Sequence, residues 1–253
     1  MIEGFEKTKI AGSIASGALD EVTNIIKPGI STLEIDNLCY QYINDHNAFS
    51  APLYYRGYPR SCCTSANHVV CHGIPSQKIL KDGDIVNVDV TAIKDGWHGD
   101  TSRMFVVGEC SVKAKKLIKI TYEAMMEAIK IIKENVKIGN IGYTIQKSVE
   151  AEGFSVVRDF CGHGIGKKFH ESPNVLHYGE KNSGLELKAG MIFTVEPMIN
   201  SGKFETKTLN DGWTAVTKDK SLSAQFEHTL GITENGYEIF TESAKSYSKP
   251  PYL

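Results

Sequence analysis

The sequence predicts an α+β fold in which two similar halves, about residues 1–110 and 111–240, lie around a central antiparallel sheet. A pseudo-twofold axis relates the halves. Three observations predict this fold: two helical patterns open each half, a His-Gly-Ile tripeptide recurs, and a Leu-Lys-x-Gly turn precedes an acidic strand in both halves. The recurring segments are His72-Gly73-Ile74 with His163-Gly164-Ile165, and Leu80-Lys81-Asp82-Gly83 with Leu187-Lys188-Ala189-Gly190. One shared order of motifs is much harder to obtain by chance than any single motif, so we infer a duplicated unit.

The first 45 residues or so have helical periodicity that is interrupted once, at Lys27-Pro28-Gly29. Because proline cannot continue a helix, we predict two helices here. Ser31 or Thr32, together with Glu34, has the pattern of an N-terminal cap for the second helix.

A β-hairpin is predicted between residues 84 and 107, with Asp95-Gly96 as its two-residue turn. With this turn, residue 91 lies opposite residue 100, and residue 89 lies opposite residue 102. Asp89 and Asp100 then share one face as diagonal neighbours, about 7–8 Å apart at the backbone. Two carboxylates on a buried face need a counter-charge or a proton, and a bound cation supplies that charge.

The rest of the chain continues the alternation of helix and strand patterns. Residues 50–75 have the composition of loops with short strands, and residues 112–135 and 141–153 are helical in pattern. We expect a single domain over residues 1–253, with a loosely held polar tail at 243–253.

Composition and charge exclude several functional classes. The 28 Lys and Arg residues against 30 Asp and Glu give a net charge of −2, so no broad basic field is available for specific binding of nucleic acid. No apolar run approaches the length of a membrane span, and the first residues lack the features of a secretion signal. The six cysteines have no paired Cys-x-x-Cys spacing, which favours a reduced, cytoplasmic protein. Without a coiled-coil pattern or a conspicuous apolar stripe, we expect a monomer.

Two further acids and one imidazole fit the requirement for a cation. Glu196 ends the apolar segment 191–195, and Glu227 lies in a second strand pattern. A carboxylate in such a strand is costly unless it is paired or bound to metal. His163 is flanked by glycines, which allow close approach. Four carboxylates and one imidazole suit a pair of divalent ions, with Mn, Fe, Co and Zn as candidates. Taken singly, each of these residues is also compatible with a turn, a strand end or the core.

Five ordered segments resemble the methionine aminopeptidases of the short bacterial type (type I), and the resemblance extends over about residues 3–240. The segments are 67–75, 88–102, 161–171, 194–198 and 223–229. The resemblance implies the duplicated "pita-bread" fold of the creatinase and aminopeptidase group. It also implies a metal-dependent hydrolase that removes the initiator methionine from nascent polypeptides, prefers a small second residue and works in the cytoplasm, where contact with the ribosome is plausible.

The resemblance also implies the metal ligands and the order of events. Asp89 binds one metal, Asp100 and Glu227 bridge both, and His163 and Glu196 complete the second. A water held between the two metals is then the nucleophile, and Glu196 shuttles its proton.

Two more histidines and a pocket follow from the same resemblance. His170 would polarise the scissile carbonyl, and His72 would hold the amide side of the substrate. Side chains with sulfur or an aromatic ring suit the flexible thioether of methionine. The matching pocket residues are Tyr55, Tyr58, Cys63, Phe169 and Trp213. The family also holds a monovalent cation with backbone carbonyls, here expected around Asn67, Val69 and Ser223.

Two residues depart from the family pattern. His68 stands where bacterial relatives commonly have an acid, and Pro52 stands at a position where relatives can carry a pocket cysteine, so pocket detail is open.

Two other functions stay open. The first is that of a proline-directed peptidase on the same fold, although such enzymes usually carry a further amino-terminal domain. A metal-free binding protein acting at ribosomes or nucleic acid would have lost metal ligands, whereas all five candidates are present here.

Overall fold

The computed structural model describes residues 2–252, and it opens with the predicted helix pair. Helix α1 (Ile2–Ile25) and helix α2 (Thr32–Asp45) flank the break at Pro28. Ser31 caps α2 in a capping box: its hydroxyl accepts from the Glu34 amide at 3.2 Å, and the Glu34 carboxylate accepts from the Ser31 amide at 2.8 Å. This part of the prediction is confirmed, with Ser31 rather than Thr32 as the cap.

In the second helix pair, the first helix is shorter than its sequence pattern, and the second begins two residues earlier than predicted. Helix α3 (Val112–Lys130) and helix α4 (Gly139–Ala151) are separated by a connection that the sequence assigned partly to helix. Within it, Asn135 adopts a φ of 66°, and its amide donates to the Leu187 carbonyl at 2.9 Å. Pairing with this distant segment therefore replaces the last helical turn that local periodicity predicts.

Fifteen strands within residues 2–252 complete the fold. They are β1 (Phe49–Ser50), β2 (Cys63–Ala66), β3 (Val69–Cys71), β4 (Ile85–Lys94), β5 (Trp97–Val106), β6 (Ser155–Val156), β7 (Gly162–Gly164), β8 (Glu171–Val175), β9 (Ile192–Val195), β10 (Met198–Asn200), β11 (Thr206–Thr208), β12 (Ala215–Thr217), β13 (Ser223–Gln225), β14 (Glu227–Thr233) and β15 (Gly236–Ile239). The central sheet has the order β1-β4-β5-β14-β9-β7-β8, with β2 added to β4 and β15 to β14. Its strand pairs are antiparallel, as predicted.

The long β4–β5 hairpin has the predicted register. Thr91 pairs with Asp100 and Asp89 with Ser102, and the turn lies at Asp95-Gly96, where both residues have positive φ. The parity argument made from the sequence is therefore confirmed, and both carboxylates lie on the same face of the sheet.

The helices cover one face of the central sheet and leave the other face to the site. Val86, Val88 and Val90 are fully buried in a core cluster that includes residues of α1 and α2. A second cluster joins α3 and α4 to β9 and β14 and includes the fully buried Phe193 and Leu230. Packing on one face fixes the strands rigidly enough to position polar side chains on the other.

The carboxyl-terminal segment makes contacts that the expectation of a loosely held tail did not include. The Tyr252 hydroxyl donates to the Met104 carbonyl at 2.6 Å, and its ring lies 5.3 Å from that of Phe105. Apolar burial and one satisfied hydroxyl anchor this end of the described chain. Within residues 2–252, no helix is both long enough and apolar enough to cross a membrane.

Candidate metal centre and substrate cavity

Five adjacent strands of the central sheet each bring one predicted ligand to the same face. Along the order β4-β5-β14-β9-β7, the ligands are Asp89, Asp100, Glu227, Glu196 directly after β9, and His163. Ser102 in β5 pairs with Asp89 on one side and with Glu227 on the other. Antiparallel register therefore collects residues that are up to 138 positions apart in sequence, as Asp89 and Glu227 are.

The ligand atoms lie close together. Those of Asp100, His163 and Glu227 are all within 4.8 Å of one another. His163 Nε2 lies 3.6 Å from Glu196 Oε1 and 3.8 Å from Asp100 Oδ2. Asp89 lines the same cavity, and its carboxyl is within hydrogen-bonding reach of Asp100. All five residues are thus together, although the tightest group contains three of them.

Burial raises the pKa of all four carboxyls. Desolvation is the largest cause in each case; it raises the pKa of Asp89 to about 7 and that of Glu196 to about 8. Asp100 and Glu227 have pKa values well above their ordinary range, because the neighbouring carboxylates add repulsion to desolvation. Four acids this close, of which Asp100, Glu196 and Glu227 are buried and Asp89 is half-buried, hold protons or cations in place of free negative charge.

His163 presents a free lone pair to these acids. Its Nδ1 lies 3.1 Å from the Gly164 carbonyl oxygen, which can only accept a hydrogen bond, so the proton of the neutral ring is on Nδ1. Burial lowers the pKa of His163 to about 4, which keeps the ring neutral at physiological pH. Nε2 is therefore available as a metal ligand.

This donor set fits divalent cations. The carboxyl oxygens of four acids and one imidazole nitrogen match the mixed ligation that Mn, Fe, Co and Zn accept. Positive charge would also remove the repulsion that raises the carboxyl pKa values.

Three supporting residues were not predicted from the sequence as part of the site. Thr91 donates to Asp100 Oδ1 at 2.7 Å, and Thr194 donates to Glu196 Oε1 at 2.7 Å. Each lies on the ligand-bearing face by the two-residue period of a strand, so that period was an available signal. His177 is fully buried, and its Nε2 accepts from the Glu196 amide at 3.1 Å. No local pattern marks His177.

A cavity of about 450 Å³ opens beside the ligands. Its wall contains every substrate-binding residue expected from the sequence: Tyr55, Tyr58, Cys63, His72, Phe169, His170 and Trp213. Tyr58 is buried, donates to the Gly73 carbonyl at 3.1 Å, and packs edge-on against Trp213 with ring centres 5.2 Å apart. The wall is thus built from fixed aromatic groups.

The two histidines expected to act on the substrate both face this cavity. His170 Nδ1 lies 3.1 Å from the Tyr55 hydroxyl, and the ring centre is 4.3 Å from that of His163. Desolvation, then the charges of His163, His72 and Arg56, lower the pKa of His170. Burial likewise lowers the pKa of His72, whose backbone has a φ of 55°. Both rings are therefore neutral hydrogen-bonding groups.

Several further residues line the cavity. Pro52 is among them, whereas His68 is exposed outside the wall. The residues that the sequence did not single out are Arg56, Thr91, Asp159, Phe160, Cys161 and Met198. Cysteines 39, 62, 63, 71, 110 and 161 are all free.

The three residues expected around a monovalent cation are neighbours in the fold. The Asn67 carbonyl accepts from the Ser223 amide at 2.8 Å, and Val69 begins β3, which belongs to a neighbouring three-stranded sheet. The Ser223 hydroxyl is buried without a hydrogen-bond partner among the described residues. The cation itself stays a prediction.

The fold and this carboxylate-rich site are those of a metallopeptidase. A sequence profile of metallopeptidase family M24 matches residues 6–234, and the chain belongs to this family. It is 55% identical to a methionine aminopeptidase of Rickettsia prowazekii (strain Madrid E), covering 98% of this chain and 96% of that protein. It is also 55% identical to a methionine aminopeptidase of Escherichia coli (strain K12), covering 94% and 91% respectively.

Solved structures agree with this assignment of the fold. A methionine aminopeptidase from Rickettsia prowazekii superimposes with a TM-score of 0.94 at 55% identity, over 95% of this chain and 98% of the other. An Xaa-Pro dipeptidase from Bacillus anthracis shares the fold, with a TM-score of 0.76 at 24% identity. The match spans 96% of this chain but only 61% of that protein. The predicted pita-bread architecture is confirmed.

Proposed function

We propose that this chain is a methionine aminopeptidase that removes the N-terminal methionine from newly made proteins. The observation that carries the proposal is the convergence of five metal-ligand candidates and two neutral histidines on one aromatic-walled cavity. The names of relatives that match nearly the whole chain support it.

Asp89, Asp100, His163, Glu196 and Glu227 would hold the divalent ions of the site. When bound, two such ions lower the pKa of a water and polarise the substrate carbonyl. The five side chains supply the ligands without large rearrangement, because hydrogen bonds from Thr91 and Thr194 already orient two of the acids.

Glu196 is the proton carrier of the reaction. A group that accepts and returns a proton works best when its pKa is near the operating pH, and the buried setting of Glu196 moves its pKa in that direction. Thr194 and the Glu196–His177 backbone contact hold the carboxyl in place.

His170 and His72 bind the reacting peptide bond. With the Tyr55 hydroxyl donating to Nδ1 of His170, the Nε2–H of that ring points its proton at the substrate carbonyl and stabilises the developing oxyanion. His72, held between the rings of Phe160 and Trp213, contacts the amide side.

Specificity follows from the wall of the cavity. Tyr58, Cys63, Phe169 and Trp213 surround a methionine side chain with aromatic edges and sulfur, which suit a thioether. The acids of the site attract a free amine, which explains cleavage of terminal residues. The preference for a small second residue follows from the resemblance to methionine aminopeptidases.

The setting of the activity is part of the same proposal. The protein acts as a cytoplasmic monomer on nascent polypeptide N-termini, near the ribosome where these emerge. A monovalent cation bound by carbonyls of Asn67, Val69 and Ser223 would brace the turn between β2 and β3 against the start of β13.

The test is release of methionine from Met-Ala-Ser, compared with Leu-Ala-Ser and Met-Pro-Ala, before and after chelation. Mn, Fe, Co or Zn is then added back separately. Methionine release that disappears with chelator and returns with metal supports the proposal. If the folded protein releases no methionine with any of these metals, a metal-free binding protein becomes the better interpretation.

A pair of variants separates metal catalysis from other roles. Asp89→Asn removes a ligand charge from the hairpin, whereas Asp95→Asn changes an exposed acid at the turn of the same hairpin. We expect Asp89→Asn alone to lose activity and to bind less metal. Unchanged activity in Asp89→Asn would overturn the assignment of this ligand.

A further inference from the structure

Arg56 is a cation at the edge of the substrate cavity that neither the sequence nor the ligand set explains. It lies in a short 3₁₀ turn (Tyr55–Gly57), is exposed, and lines the cavity. Its guanidinium carbon lies 5.3 Å from the centre of the Tyr55 ring. Among residues 2–252, no hydrogen-bond acceptor or carboxylate pairs with this guanidinium.

The contacts of Tyr55 place Arg56 relative to the reacting bond. The Tyr55 hydroxyl contacts His170 at 3.1 Å, and the same ring lies under the guanidinium. In the proposed reaction His170 contacts the scissile carbonyl. The peptide that continues beyond this bond must leave the cavity, and Arg56 is an exposed cation next to Tyr55 on the cavity wall.

Arg56 is also the one Lys or Arg among the described residues that line the cavity. Four of the acids that line the cavity belong to the candidate metal site. The fifth, Asp159, accepts a hydrogen bond from the Thr206 hydroxyl. An acidic group on a departing peptide would therefore meet one unpaired guanidinium, which recognises carboxylates in a planar, two-donor geometry.

We propose that Arg56 binds an acidic side chain at the third residue of the substrate and so raises cleavage of such proteins. This inference rests on the proposed function. The second residue must be small, so the third is the first position at which Asp or Glu fits. Successive residues of an extended chain advance about 3.3 Å, which keeps the third residue within reach of a long arginine side chain.

The test compares kcat/KM for Met-Ala-Glu-Ser, Met-Ala-Gln-Ser and Met-Ala-Lys-Ser at low salt, with one fixed metal. We expect the Glu peptide to exceed its Gln isostere about two- to fivefold, as for an exposed ion pair. The ratio should fall to about one in Arg56→Gln, persist in Arg56→Lys, and decrease in 0.5 M salt. Arg56→Glu should favour the Lys peptide instead. Because each value is a ratio within one variant, a general loss of activity does not imitate the effect.

Lys167→Gln is the matched control, since it removes an exposed cation close in sequence to His170 that does not line the cavity. Its Glu-to-Gln ratio should equal that of the unmodified protein. An unchanged ratio in Arg56→Gln, or an equal loss in Lys167→Gln, would overturn the assignment to Arg56. If the unmodified protein cleaves none of the three peptides, the proposed function fails first and this inference falls with it. Equal cleavage of all three defeats the Arg56 inference alone.

Discussion

His163 Nε2 and Glu196 Oε1 lie 3.6 Å apart, although the imidazole is neutral and the acid is buried. The two residues come from β7 and the end of β9, which the sheet places side by side. A lone pair and a carboxyl oxygen facing each other repel unless a proton or a cation lies between them. The site is therefore built at a cost to folding that cation binding removes.

The first prediction concerns the pH dependence of the metal-free protein. Folding raises the pKa of Asp89 from 3.8 to about 7 and that of Glu196 from 4.5 to about 8. Above pH 6.5, the folded state keeps protons that the unfolded chain has released, so its free energy of unfolding decreases as pH rises. We expect a loss of about 1–3 kcal/mol between pH 6.5 and 8.5, measured by urea unfolding in chelator.

Histidine titration limits this prediction to the range between pH 6.5 and 8.5. Burial lowers the pKa of His163 to about 4 and that of His177 to about 3. These groups cost stability as pH falls below 6.5, the ordinary histidine value, and they oppose the carboxyls there. Asp100→Asn should weaken the loss above pH 6.5 and stabilise the metal-free protein. A free energy of unfolding that rises from pH 6.5 to 8.5 in chelator would contradict the prediction.

The second prediction concerns Glu196 as proton carrier. Glu196→Gln keeps an oxygen that can accept the Thr194 hydrogen bond of 2.7 Å but cannot carry a proton. We expect kcat to fall by about 10²–10⁴ while KM changes little, as measured with Met-Ala-Ser under saturating metal. The control is Glu234→Gln, an exposed acid in the turn between β14 and β15. A rise in KM with an unchanged kcat would instead indicate that Glu196 acts in substrate binding.

The third prediction concerns His177 as a positioning residue. His177 accepts from the Glu196 amide at 3.1 Å, so His177→Leu leaves a buried N–H without its partner. We expect a loss of about 1–3 kcal/mol in the free energy of unfolding, together with a lower kcat because Glu196 is held less firmly. His177→Gln retains an acceptor and should recover part of both. Equal effects of the two substitutions would show that volume, not the hydrogen bond, matters at this position.

Local patterns predict much of this fold and site because they act over short distances. The break at Pro28 and the cap at Ser31 need only neighbouring residues, and the Asp95-Gly96 turn fixes the parity of Asp89 and Asp100. The five candidate ligands could be named from their residue types and strand patterns, but the role of each one required the resemblance to a family, since periodicity cannot reveal the strand order.

Other features depend on contacts between distant segments and leave no local signal. His177 acts through a backbone amide 19 positions away, and Arg56 lines the cavity through a turn with positive φ. The end of α3 is decided by pairing with Leu187 rather than by helix propensity. Tyr252 contacts Met104, which is 148 positions earlier in the chain.

The last prediction concerns the anchor at Tyr252. Its hydroxyl donates to the Met104 carbonyl at 2.6 Å, and its ring packs near Phe105. We expect Tyr252→Phe to lower the free energy of unfolding by about 1 kcal/mol through the lost hydrogen bond. Tyr252→Ala should cost about 2–4 kcal/mol, because it also removes the apolar contact with the core. Urea unfolding with metal present provides the measurement.

Tyr40, which is 44% exposed on α2, offers the matched control, and both of its substitutions should change stability by less than about 0.5 kcal/mol. Because Phe105 lies on β5, the strand that carries Asp100, loss of the anchor acts on the sheet beneath the site as well as on the tail. Tyr252→Ala should therefore lower the metal-loaded stability without changing kcat at 25 °C. If Tyr252→Ala unfolds at the same urea concentration as the unmodified protein, the segment is loosely held, as its polar composition first indicated.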